Sequence, residues 1–314
     1  MLKLIGSRLV LVIPQLLIVG LLVFSLLYLV PGSAAALILG DAANPEAIKE
    51  VEAQLGLDKP FHEQLVAWFG GAVQGDLGDS YLYKRPVLDL VLEKLPATLS
   101  LVGGGLIVAM LVGIGLGLLA GVNARRLADR AVTGFSAFMQ SVPEFWIGLL
   151  LILFFVIQLG WFPVRAWTPP TSDPGAWLRG LFLPALALGT GASALIARQT
   201  RTAVAEALAS RYADTLTAAG VPRWKIVFKY ALKNAMIPVL AASALAVGIL
   251  FGTSLVMERV FAFPGLGSLL LSSVISKDLP VVQGAALIVC LIVIAVNLLV
   301  DIGYGLLNPR ARPQ

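Results

Sequence analysis

The chain predicts an all-α membrane protein with six transmembrane helices, and three observations carry that prediction. Hydrophobic residues make up 58% of the 314 residues and charged residues only 13%. A soluble domain carries about twice that charged share. Six apolar runs of membrane-spanning length divide the chain, and Lys and Arg gather on alternate connections between them. Multi-pass chains show that alternation when they keep their positive segments inside. A mean hydropathy of +0.90 excludes a disordered chain. One Cys and one His leave no material for a disulfide framework, a zinc site or haem ligation.

The runs are Leu9–Val30, Leu95–Val122, Ala131–Gly160, Gly180–Ala197, Asn234–Met257 and Leu279–Val300. Crossing roughly 30 Å of hydrocarbon at about 1.5 Å per residue takes about 20 residues. Gly180–Ala197 is the marginal run, with Pro184 near its start, and Ala131–Gly160 contains one acid, Glu144. Pro143 is placed to break that long third span, so part of it is expected to project towards water. The first run follows Lys3 and Arg8 and precedes Ser33-Ala34-Ala35-Ala36, an arrangement that imitates a signal peptide. It exceeds the roughly 7–15 residues of a signal core and reads as a retained helix. Gly113, Gly117 and Gly121 in the second run have the small-xxx-small spacing that lets helices approach closely.

An even number of spans puts both termini on one side, and the basic residues choose the cytoplasm. Arg125, Arg126, Arg130, Arg198, Arg201, Arg211, Arg223, Lys225, Lys229 and Lys233 then fall inside, while Lys49, Lys59, Lys84, Arg85 and Lys94 share one long external loop. Charge in a long loop is tolerated by translocation. The net charge of +5 therefore reflects membrane topology and lipid headgroups, and no nucleic-acid partner is expected. The expected organisation is an N-terminal helix at 1–30, an external loop region at 31–94, a core of five further membrane helices at 95–307 and a cytoplasmic tail at 308–314.

Two connections are long enough to carry function. Outside, Asn44-Pro45 predicts a capped helix with Ile48, Val51 and Leu55 on one face and Gly56 as its stop. A second amphipathic stretch runs from Phe61 to Val73, with Phe61, Leu65, Trp68 and Phe69 on its apolar side. These helices either cap the bundle at the membrane surface or meet an external partner, for which Trp68, Asp76 and Tyr81 are the docking candidates. Inside, 198–233 is the most basic part of the chain and reads helix, break, helix. Glu206 to Ala219 is helix-forming, Gly220 and Pro222 interrupt, and Arg223 to Leu232 resumes the pattern. A cytoplasmic partner is able to grip such a hairpin, and a solvated loop touching lipid headgroups is the plainer alternative.

Catalytic signatures are absent from the sequence. There is no phosphate-binding G-x-x-x-x-G-K-[ST] loop, no H-E-x-x-H, no C-x-x-C and no G-x-S-x-G. His62 lies in the external loop and Cys290 inside the last run, so neither suggests a reaction or a metal site. Glu144 is the exception, because an acid at membrane depth is costly and tends to face a cavity or a partner. With Phe145 and Trp146 it forms the candidate pathway lining.

Ordered motifs along the chain go further. They include Val30-Pro31-Gly32, Leu55-Gly56-Leu57-Asp58-Lys59-Pro60, Gly75-Asp76-Leu77-Gly78-Asp79-Ser80 and Leu95-Pro96-Ala97-Thr98-Leu99. Later come Ser141-Val142-Pro143 with Phe145-Trp146, Tyr212 to Gly220, and Asn234-Ala235-Met236-Ile237-Pro238. Phe261 to Gly267, Asp278-Leu279-Pro280 and Asn308-Pro309-Arg310 complete the series. Over almost its whole length the chain resembles the permease subunits of binding-protein-dependent ABC importers, in the dipeptide, oligopeptide and nickel branch.

That resemblance implies a type I importer permease fold in a bacterial or archaeal inner membrane. It implies a second homologous permease subunit, two ATPase subunits that bind the ATP and Mg, and an extracytoplasmic solute-binding protein. It implies no cofactor or metal in this chain and no enzymatic activity of its own. The coupling residues it assigns are Tyr212, Ala213, Asp214, Thr215, Leu216, Ala219, Gly220 and Pro222. The family's Glu-Ala-Ala…Gly pattern is here Asp214-Thr215-Leu216…Gly220, which keeps the acid and the glycine and replaces both alanines. Glu144 inherits no role from the resemblance. Peptides are the implied cargo, with nickel or another chelated metal as the alternative. An ATP-independent secondary transporter or channel is the competing class, and it calls for several intramembrane ionisable residues.

Overall fold

The structure, a computed structural model, describes residues 2–29, 33–40, 43–163 and 167–307. The Val30-Pro31-Gly32 end of the first span, Asp41, Arg165 and the tail at Asn308, Pro309 and Arg310 lie outside the described residues. In chain order the helices are α1 (Leu2–Leu29), α2 (Ala34–Leu39), α3 (Pro45–Gln54), α4 (Phe61–Val73), α5 (Val87–Val122), α6 (Leu127–Ser141) and α7 (Glu144–Leu151). They continue with α8 (Pro174–Leu208), α9 (Arg211–Ala218), α10 (Arg223–Lys225), α11 (Leu232–Val260), α12 (Leu266–Ile275) and α13 (Leu279–Leu307). Two π-helical turns, Ile152–Gln158 and Ile226–Ala231, extend α7 and join α10 to α11.

Within the described residues the six apolar runs are helical, apart from the break at Val142–Pro143 and the end at Leu159–Gly160. Val87–Val122, Pro174–Leu208, Arg223–Val260 and Leu279–Val300 are each long and apolar enough to cross a membrane. The fifth candidate, α6 followed by α7, bends by 92° at the break between them, the geometry of a broken span or a re-entrant loop. The remaining run lies in α1, a helix of 28 residues whose described apolar part is Val10–Ser25. The bend falls at the break that Pro143 predicts in Ala131–Gly160. Val142 sits in extended conformation (φ −89°, ψ 126°), as the residue before a proline prefers, and α7 starts immediately after Pro143.

The chain forms two compact units, Gly6–Pro96 with Pro264–Ile294, and Ala97–Phe263 with the two ends of the chain. In the first unit the external helices follow their local signals. Asn44 accepts a hydrogen bond from Ala47 N at 2.7 Å and Pro45 opens α3, while Gly56 turns the chain away with φ +68°. Ser33 caps α2 and donates to Glu52 on α3 at 2.6 Å. α4 turns its apolar side inward. Phe61 meets Phe24 edge-on at 5.1 Å, and Trp68 and Phe69 lie against Gly20 of α1, where a Cβ would strike the Phe69 ring. Beneath it Leu77, Val87, Val91, Leu266, Val281 and Ala285 form a core.

The second unit is organised around α8. Within its most apolar window 72% of α8 is buried, against 39% for Arg223–Val260. Gly113 and Gly117 of α5 meet Ile196 and the Ala197 backbone of α8, so close that a side chain at Gly117 would sit 2.5 Å from the Ala197 carbonyl. The small-residue stripe expected from sequence is thus the contact of α5 with α8. α8 also extends to Leu208 and carries Glu206, ending at Ala209 before a new helix begins. The sequence reading had continued one helix from Glu206 to Ala219. Ser210 starts α9 from an extended conformation, which divides that stretch in two.

Candidate functional site

Three groups of residues carry the candidate sites. The first is the inner hairpin. α9 spans Arg211–Ala218, the second part of the stretch expected to be helical from Glu206 to Ala219. Its end is a complete Schellman closure: Gly220 N donates to Thr217 O at 3.0 Å and Val221 N to Leu216 O at 3.0 Å. This requires the left-handed backbone that Gly220 supplies at φ +75°. Pro222 then nucleates α10 by accepting from Lys225 N and Ile226 N. Of the coupling candidates, Ala213 is buried and Leu216 half-buried, whereas Tyr212, Asp214, Thr215, Ala219, Gly220 and Pro222 are exposed. Asp214 lies in the first turn of α9, where a carboxylate suits the helix dipole. Tyr212 stands edge-on to Tyr230 at 5.9 Å. Trp224 and Phe228, 62% and 58% exposed, lie just past the same turn and were not singled out from sequence.

The second group lies at the α6–α7 break. A cavity of about 470 Å³ opens there, lined by Gln140, Glu144 and Phe145, by Gly191 on α8, and by Thr253 and Met257 on α11. The Glu144 side chain reaches across to α8, where a Cβ at Gly191 would collide with its Oε1. Its Oε2 is buried with no hydrogen-bond partner, and Thr253, which lines the same cavity, donates to Ile249 O of its own helix at 3.1 Å. Trp146, half exposed, is not part of the lining.

The third group is an elbow in the segment expected outside, between α4 and α5. Ser80, Tyr81 and Leu82 all donate to the carboxylate of Asp278: Ser80 Oγ at 2.5 Å, Tyr81 N at 3.1 Å and Leu82 N at 3.2 Å. Asp278 is 1% exposed. Burial, and after it the charge of Asp278, push the Tyr81 phenol up to about 12. Of the three docking candidates, Asp76 is exposed and caps its own turn by accepting from Gly78 N at 2.8 Å. Trp68 packs against the core with its Nε1 buried and unpartnered, and Tyr81 is half-buried. Among the described residues no group of three or more His, Cys, Asp or Glu comes together to hold a metal.

The comparisons with known proteins agree with this arrangement. Residues 113–313 match the family described as the binding-protein-dependent transport system inner membrane component, and residues 1–102 match the N-terminal domain that accompanies it. The chain belongs to this family. It is the permease component of an ABC importer, a membrane part that is not itself catalytic. A Brucella abortus permease named for a peptide transport system is 38% identical over 312 residues, covering 99% of both chains. The glutathione transport system permease of Escherichia coli is 39% identical over the same length and coverage. An inward-facing structure of the MetNI methionine ABC transporter shares the fold with a TM-score of 0.57 at 18% identity, covering 70% of this chain and 96% of that one.

Two polar pairs in this permease were not found from sequence. Arg201 on α8 grips Asp129 on α6 with two hydrogen bonds, of 3.0 and 2.7 Å. Glu258, fully buried on α11, accepts from Thr98 Oγ1 at 2.6 Å. Glu258 lies one residue beyond the apolar run that ends at Met257. Its spacing from Phe251 and Ser254, which are buried on the same helix, was the available signal.

Proposed function

We propose that this permease forms half of the passage for peptides, glutathione-like tripeptides among them. The observation that carries this reading is near-complete similarity to two permeases named for peptide and glutathione transport, at 38% and 39% identity over 99% of the chain. A second, homologous permease subunit completes the passage. An extracytoplasmic binding protein delivers the peptide to the external surface around Asp76, which Trp68 and Tyr81 hold in shape from beneath. Two cytoplasmic ATPase subunits bind ATP and Mg and receive α9. The termini and 198–233 lie on the cytoplasmic side of the inner membrane, and 41–94 outside.

Energy reaches the passage through α9. The ATPases bias the bundle only by contacts that differ between its two states, and α9 offers them an exposed face of Tyr212, Asp214, Thr215 and Ala219. The angle of that face is set where the chain reverses at Gly220 and Pro222. Glu144 and Phe145 line the path.

The test is Gly220→Val in the complex reconstituted with its partners in proteoliposomes, with trialanine and glutathione as probes. A β-branched residue at φ +75° costs on the order of 1–3 kcal/mol of strain at that turn. The variant should insert and receive the binding protein normally but lose uptake, through lost ATPase assembly or lost substrate-stimulated hydrolysis. Normal assembly, stimulation and uptake in Gly220→Val would move the coupling site elsewhere.

A further inference from the structure

We infer that Glu144 is the point in the passage that holds the cationic amino end of the peptide as it crosses. This rests on the peptide reading above and goes one step beyond it, to the chemical group recognised and the residue that recognises it.

The first observation is geometric. Glu144 is the first residue of α7, and its position is created by the break at Val142–Pro143. An acid in a first helical turn commonly folds back to satisfy the helix's free N–H groups. Here no side chain caps α7, and Trp146 N and Ile147 N both donate to Pro143 O instead. The carboxylate points the other way, over Gly191 on α8 and towards Thr253 on α11. Glycine at 191 leaves the room the carboxylate occupies.

The second observation is chemical. The cavity around Glu144 is lined by apolar side chains apart from Gln140, Glu144 and Thr253, and no Lys, Arg or His is among its lining residues. Among the described ion pairs none involves Glu144, and Oε2 has no hydrogen-bond partner. The Thr253 hydroxyl donates to the carbonyl of Ile249 on its own helix at 3.1 Å. A carboxylate away from bulk water is expensive unless a cation or a full set of donors compensates it. Asp129 and Asp278 have that compensation in place: Arg201 grips the first, and three donors converge on the second. Glu144 lacks it, at the one position where a solute-sized space adjoins the acid.

The third observation is size and sign. At about 470 Å³ the cavity lies within the range of small-ligand sites, roughly 300–1,000 Å³. A negative wall without a positive counterpart repels a carboxyl end and attracts an ammonium group. Peptides carry one of each, so Glu144 orients them amino end first towards the α6–α7 break. The ammonium contributes a charge-assisted hydrogen bond to Oε2, which is stronger than a neutral one.

The experiment uses the assembled complex in proteoliposomes, with trialanine as the probe. Glu144→Gln keeps the shape and removes the charge. It should lower the maximal uptake rate at least about tenfold, as the loss of one contact between charged groups does. Binding-protein docking, basal ATP hydrolysis and the melting midpoint should stay at the parental values. The second variant moves the charge across the same cavity: Glu144→Gln with Thr253→Glu should restore uptake to within about threefold of the parent. A structural role for Glu144 predicts no such rescue. Unchanged uptake in Glu144→Gln, or a loss that follows a lowered melting midpoint and is not rescued by Thr253→Glu, overturns the inference while leaving the peptide reading intact. Absence of uptake in the parental complex, for trialanine and glutathione alike, overturns the peptide reading and this inference together.

Discussion

Asp278 and Glu144 are both acids at the border of an apolar helix, and the protein treats them in opposite ways. At the elbow the Asp278 carboxylate is closed off: a hydroxyl and two backbone N–H groups converge on it, and it is 1% exposed. The turn that supplies those donors is held by further backbone bonds, Ser80 N to Arg85 O at 2.9 Å and Val87 N to Gly78 O at 2.9 Å. At the α6–α7 break the Glu144 carboxylate faces a cavity with one buried oxygen unpartnered. The difference separates scaffold from site. A buried charge with all its donors in place fixes the chain that supplies them, and nothing remains for a visitor to bind. A charge with an open side stores a cost that only a visitor relieves.

Three substitutions break or sharpen this comparison, each read as the thermal unfolding midpoint of the purified permease. The largest effect belongs to Asp278→Ala, which strands the Ser80 hydroxyl and two amide donors in a buried turn. A cost of about 3 kcal/mol is expected, with partial recovery in Asp278→Asn, whose remaining oxygen still accepts. Parental stability in Asp278→Ala would remove the distinction drawn here. Asp129→Ala comes next, at about 2 kcal/mol. It leaves Arg201 without its partner, but the Arg201 side chain is 36% exposed and rehydrates. Glu144→Leu should have the smallest effect, within about 0.5 kcal/mol of the parent or above it, because it removes an uncompensated acid from an apolar wall. A loss as large as that of Asp278→Ala would make Glu144 scaffold as well.

Much of this architecture is legible in the sequence because its signals are local. Asn44 and Pro45 start α3 where a cap followed by proline should, α4 covers Phe61–Val73 as the apolar spacing indicates, and Gly220 ends α9 in the left-handed conformation that only a glycine adopts without strain. The parts that escaped are set by distant partners. Asp129 meets Arg201 across 72 residues and Thr98 meets Glu258 across 160, and neither residue carries a local mark of its pairing. Pro143 announces a break in the third span, but the 92° angle depends on what the two arms pack against. Gly180–Ala197 is marginal in length as a charge-free run, and the fold carries it within the longer helix Pro174–Leu208. Its helix is the least exposed of the spans, so its small residues answer to glycines on α5 rather than to lipid. In the candidate site, Glu144 stood out as an isolated acid in an apolar run, whereas its open cavity and its reach over Gly191 are products of the fold. Trp68 shows the reverse: an aromatic residue in an external loop suggested a docking contact, and its ring is committed to the core.

The length of α8 has a mechanical consequence. Gly191, on the cavity wall, and Leu208, at the start of the hairpin, belong to one helix with no proline between them. At about 1.5 Å per residue they are roughly 25 Å apart along a stiff rod. A tilt of about 10° around Gly191 displaces the Leu208 end by about 4 Å, and the converse holds for a push delivered at that end. The Arg201–Asp129 clasp sits on the same arm and makes α6 travel with it. A small swing imposed at the hairpin therefore reaches the Glu144 cavity as a change in the tilt of its α8 wall about Gly191.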